Sequence, residues 1–120
     1  MSDKKWFVVA LLYESVHNGE PKQVDENYEN TTKTYEESHI LVKAESSENA
    51  SLLGKKLGQE AEHNYKNQYE ETVCWKLVKV LDVFELMEEE LKTGTEVYSR
   101  FILVPRESGT QDVLKKFFQE

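Results

Sequence analysis

The feature that most constrains this chain is a β-branched and aromatic stretch from Val73 to Val104, broken once by the acidic, glycine-containing turn MEEELKTG. Val73, Val78, Val80 and Val83, with Trp75 and Phe84, predict a strand over Val73–Leu86. Val97, Tyr98, Phe101, Ile102 and Val104 predict a second over Thr95–Val104, ended by Pro105, which has no N–H for a ladder. Closing this hairpin between Leu86 and Glu96 puts Asp82 opposite Arg100 and Phe84 opposite Tyr98. A charge inside an apolar strand needs a partner, because burying it alone is costly, so Asp82 and Arg100 are expected to pair.

The rest of the chain reads as cover for that hairpin. Trp6 to Glu14 is a strand with two apolar faces, Trp6, Val8, Ala10 and Leu12 against Phe7, Val9, Leu11 and Tyr13. It calls for a helix on one side and a loop or second subunit on the other. Residues 17–34 form a long polar surface loop with Gly19, Pro21 and the run DENYEN, in which Tyr28 is the one residue suited to anchor a partner. Tyr35 to Glu45 alternates, with Ile40, Val42 and Ala44 on the core side. Ser46 or Ser47 then caps a helix running to about Tyr65, with an apolar stripe of Leu53, Leu57, Ala61 and Tyr65. Beside the stripe runs a row of small residues, Ala50, Gly54 and Gly58. Each glycine costs a helix about 1 kcal/mol, so the row implies close approach to the sheet or to another chain. Ser108 and Gln111 have capping-box spacing before a short terminal helix carrying Val113, Leu114, Phe117 and Phe118. Its two phenylalanines call for docking on the chain's own core or on a partner.

The expectation is an α+β, two-layer domain spanning residues 1–120. Its four-stranded, mostly antiparallel sheet carries two helices on one face in the order ββαββα, compatible with a permuted ferredoxin-like arrangement. At 120 residues the chain is long enough for its own core.

Charge and motifs narrow the function classes. A net charge of -8 argues against nucleic acid, which needs clustered Lys and Arg. It suits solubility or a basic protein partner. The apolar run WFVVALLY is too short to span a membrane and no cleavage site follows it, so a cytoplasmic protein is expected and the sequons at Asn30 and Asn49 read as chance. The lone Cys74 excludes an internal disulfide and fits a reduced, buried thiol. His17, His39 and His63 share no metal-ligand spacing with each other or with Cys74, so no metal is expected. A Cys74 nucleophile would need a coincidental meeting with His39 or His63. No glycine-rich loop follows a strand, so no cofactor is expected. The runs Glu36-Glu37 and Glu88-Glu89-Glu90 read as solvated edge or turn charges, or as a surface for a basic partner. Glu14, Glu37, Asp82, Glu85 and Arg100 sit on predicted strands and would make either a cross-strand charge network or an acid/base site.

The segments WFVVALLYES, YEESHILVKAESSENA, VCWKLVKVLDVFEL and TEVYSRF together resemble a small bacterial family known only as a domain of unknown function. The resemblance covers nearly all of the chain except the 17–34 loop and the last dozen residues. It implies a compact intracellular domain and carries over no activity. Glu14, Glu37, Trp75, Asp82, Glu85, Tyr98 and Arg100 lie in the matching stretches and are the binding candidates. The leading expectation is a non-enzymatic interaction module forming a homodimer through its sheet or the Gly54/Gly58 helix face. The alternatives are an inhibitor or immunity protein against a basic toxin, and a small enzyme or ligand-binding domain built on Asp82 and Arg100.

Overall fold

The computed structural model describes residues 3–88 and 90–119, which form β1 (Lys5–Asn18), β2 (Tyr35–Ala44), α1 (Ser47–Glu60), β3 (His63–Lys66), β4 (Thr72–Glu85) and α2 (Thr110–Phe118). The class is α+β and the order is ββαββα. The four strands make one antiparallel sheet ordered β2-β1-β4-β3. β1 is its spine and pairs with β2 from Lys5↔Ala44 to Glu14↔Tyr35. Its ladder with β4 runs from Phe7↔Glu85 to Asn18↔Thr72, with register shifts between Ala10 and Leu11 and between Leu12 and Tyr13. Each shift is a β-bulge that adds local twist, so the sheet is curled.

The two-faced strand behaves as its pattern demands. Phe7, Val9, Leu11 and Tyr13 are buried with Val42, Ala44 and Ala50, and Ile40, Trp75, Leu77, Val80 and Val83 pack around them. That face lies under α1, which begins where Ser46 Oγ accepts the Asn49 N–H at 3.1 Å. On the opposite face Val8 and Ala10 are also buried. There Val97, from the chain beyond β4, joins Val8 and Leu41 around a shallow hollow.

The row of small residues is the one that packs. Ala50, Gly54 and Gly58 are the buried positions of α1, while Leu53 and Leu57, expected in the core, are partly exposed. A Cβ on Gly54 would lie 2.6 Å from Val9 Cγ1, and one on Gly58 3.1 Å from Leu11 Cδ1. The close approach is therefore to the chain's own sheet, and the Gly54/Gly58 face is closed to a second chain. α1 stops at Glu60 rather than near Tyr65, because His63–Lys66 pairs with β4 as β3. Asn67 holds the β3–β4 turn, its Oδ1 accepting the N–H groups of Tyr69 and Glu71 at 2.9 and 3.0 Å.

The predicted strand Thr95–Val104 is not formed. The segment has no ladder among the described residues, and the fourth strand of the sheet is β3 instead. Nor do both helices share a face, since α2 packs against no other element among the described residues. Its cap lies one residue later than the spacing predicts, with Asp112 Oδ2 accepting the Gly109 N–H at 3.0 Å. The Cα radius of gyration is 19.3 Å, against roughly 14 Å for a compact chain of this length. Residues beyond Tyr98 thus make an arm projecting from the body.

Candidate functional site

Two regions compete: a polar cleft beside the loop of residues 19–34, which starts two residues later than expected because His17 and Asn18 pair with β4, and the apolar arm with the sheet edge it leaves open. The loop is tied down. Lys22 donates its N–H to the Tyr69 carbonyl at 2.8 Å, and Ser15 N–H bonds Thr34 O at 3.0 Å. Tyr69 donates its hydroxyl to Asp25 at 2.8 Å, Tyr28 donates to Glu71 at 3.3 Å, and the two rings meet edge to face at 4.8 Å. Burial, reinforced by these carboxylates, raises the pKa of both tyrosines above the ordinary value. An open cleft of about 320 Å³ lies between loop and sheet, lined by Ser15, His17, Tyr28, Glu29, Lys33 and Glu71 among others.

The charged groups of this cleft are already engaged. Glu71, 7% exposed, accepts from Tyr28 and from Asn67 Nδ2 at 3.1 Å, and His17 Nδ1 lies 3.7 Å away. Glu29 accepts from the hydroxyls of Thr31 and Thr32 at 2.5 Å and from their amides, which hold its pKa down at about 2. Lys33 donates to Glu14 at 2.9 Å, lowering the Glu14 pKa and raising its own. The arrangement pins the loop; it aims no carboxylate at an empty position. No group of acids, histidines and cysteine able to hold a metal occurs among the described residues.

The candidates read from the sequence are dispersed. Glu14 faces Lys33 at one end of β1, and Glu85 lies 3.8 Å from Lys5 at the other. Trp75 packs on the core opposite Ser15. Asp82 sits opposite Ala10, not Arg100, and its Oδ1 accepts the Val83 N–H at 2.8 Å. Arg100 lies over the Phe118 ring at 5.7 Å. The expected Asp82–Arg100 pair is therefore absent within the chain, because its host hairpin is absent. Glu37 and Tyr98 do come together through His39, whose Nε2 is 2.5 Å from Glu37 and whose ring is 5.4 Å from that of Tyr98. His63 stands opposite Trp75 and Cys74 opposite Asn64, so the ladder sets the two at successive positions rather than as a facing pair. The acidic turn is partly structural, since Glu88 lies 3.7 Å from Lys92 and accepts from Thr95 Oγ1 at 3.3 Å; Glu89 lies outside the described residues.

The sequence reading missed Ser15, His17, Tyr69 and Glu71, which build the cleft. The available signal was Asn67 ahead of Tyr69 and Glu71, a side-chain-bonded turn between two strands. The second region is apolar. On the arm Phe101 is 99% and Leu103 92% exposed, and Val97, Tyr98, Val104 and Phe118 are exposed as well.

A small α+β domain with one four-stranded antiparallel sheet is the class these features define. Residues 6–99 match the family model described as a domain of unknown function, DUF4288, and the chain belongs to that family. No curated protein and no solved structure matches it.

Proposed function

We propose that the chain is a non-enzymatic interaction domain of the cytoplasm that associates with itself as a homodimer. The observation that carries this reading is the arm. A segment bearing Phe101 and Leu103 almost wholly exposed, followed by a helix that packs against no other helix or strand among the described residues, leaves large apolar side chains in water of the kind that association covers. The uncovered part of the outer sheet face, with Leu41 exposed and Trp6 half-buried, extends that surface. Light scattering on the full chain tests it. The expected mass at tens of micromolar is twice the chain's 14.0 kDa, and a mass of one chain at several hundred micromolar overturns the reading.

A second reading rests on charge. The balance of -8, with Glu36 and Glu37 both exposed on β2, suits a basic protein partner such as a toxin. Capture of such a partner that weakens steeply between low and physiological salt supports it; salt-independent capture counts against it.

A further inference from the structure

We propose that self-association is a strand exchange, in which Val97–Val104 of one copy adds to the open edge of β4 in a second. The proposal rests on the self-association argued above and names the elements that meet. Among the described residues β4 pairs on both sides only from Thr72 to Trp75; from Lys76 to Glu85 its sole strand neighbour there is β1. Two N–H groups in this stretch donate to side-chain carboxylates, Leu77 to Glu62 at 2.9 Å and Val83 to Asp82 at 2.8 Å. These carboxylates stand where the carbonyls of a neighbouring strand would. An open edge of this length is a template for a further strand.

The arm is the complementary half. It lies outside every helix and strand, is rich in β-branched and aromatic residues, and its backbone joins no ladder among the described residues. Phe101 and Leu103, on one side of the two-residue repeat, are fully exposed, whereas Ile102 between them is partly sheltered. The chain's own arm is directed away from its own β4. Val97 and Tyr98 lie on Leu41 and His39 of β2, across β1 from β4 and about 10 Å from it at the usual strand spacing. The open edge carries Lys76 and Lys79 beside Asp82 and Glu85 and is neutral as a whole, so the charge match is local: Arg100 of the arm brings the opposite charge to Asp82. From Arg100 onward the basic residues Arg100, Arg106, Lys115 and Lys116 outnumber Glu107, Asp112 and Glu120, so the excess negative charge lies on the body. The ion pair that a hairpin would make inside one chain is made between two.

The test uses full-length chains and two kinds of variant. Phe101→Pro and Ile102→Pro each remove one N–H, and alternate residues of an added strand face the ladder, so one of the two must break it. The expected result is association at least tenfold weaker for one or both, with the wild-type melting temperature kept. In a Cys74→Ala background, Val80→Cys and Ile102→Cys are placed on separately tagged chains, mixed and oxidised. The expected product is the mixed-tag disulfide in excess over either same-tag species. A wild-type dimer whose affinity both prolines leave unchanged, or the absence of the mixed product while the dimer persists, overturns the exchange and leaves self-association standing. A chain carrying both cysteines that closes only on itself, or a proline that unfolds the body, shows the arm to be part of its own fold and also overturns it. A wild-type monomer removes both readings together.

Discussion

Gly54 lies against Val9 so closely that a Cβ at position 54 would stand 2.6 Å from Val9 Cγ1, and Val9 is wholly buried. Alanine would gain about 1 kcal/mol in helix propensity at that position. Overpacking a branched side chain that has nowhere to turn costs about 1–3 kcal/mol. Gly54→Ala is expected to be destabilising on balance in urea unfolding. Gly58→Ala meets the flexible ends of Leu11 and Leu77 at 3.1 and 3.2 Å, so there the two effects come close to cancelling. Equal losses for both variants would contradict this account.

Much of the body was legible because burial leaves a pattern. The alternation of Ile40, Val42 and Ala44, the two apolar faces of Trp6–Tyr13 and the Ser46 cap all reflect local rules. What failed was pairing. Val97–Val104 has strand composition, but composition says nothing about where a partner lies, and the segment after Leu86 crosses toward β2 instead of folding back. The leucine stripe of α1 misled because large side chains dominate a periodicity count, whereas tight packing admitted the glycines. Residues 61–66 tolerate a helix, and the ladder with β4 overrode that preference. The candidate site was the least legible part. Tyr69 and Glu71 meet the 19–34 loop across more than forty residues, and no local signal marks such a meeting.

Tyr13 donates its hydroxyl to the Gly58 carbonyl at 3.0 Å inside the core, tying β1 to α1. Tyr13→Phe leaves that carbonyl without its partner and is expected to cost about 1–2 kcal/mol. Burial raises the Tyr13 pKa above its ordinary 10.0, with Glu36 and Glu62 adding to the effect. A pKa raised by folding means stability fully present below pH 10.0 and lost as pH rises through the folded value. The alkaline unfolding limb should therefore be shallower in Tyr13→Phe, which stability curves against pH will show.

The loop is held by Tyr69 through three contacts: its carbonyl to Lys22, its hydroxyl to Asp25 and its ring to Tyr28. Tyr69→Phe removes only the hydroxyl, and Tyr69→Ala removes the ring as well. Tryptic cleavage after Lys22 and Lys33 is expected to quicken in that order, by several-fold for the alanine variant. Unchanged cleavage would mean that Ser15 and Thr34 hold the loop by themselves.

Glu29 is ionised by its donors Thr31 and Thr32, and its pKa falls from 4.5 to about 2. A pKa depressed by folding contributes order that is complete above pH 4.5 and disappears as pH falls through about 2. The Thr31 and Thr32 amide resonances should titrate with a midpoint near pH 2 in wild type and show no such step in Glu29→Gln. A midpoint near 4.5 would show the carboxylate to be free of its donors.

The two bulges where β4 meets β1 bear on what a crowd of these molecules can do. A coiled, irregular rim accepts a newcomer over a few residues and then veers away from it. Copies joined as proposed above would have no flat platform on which to pile in register, and that geometry would check growth into fibres.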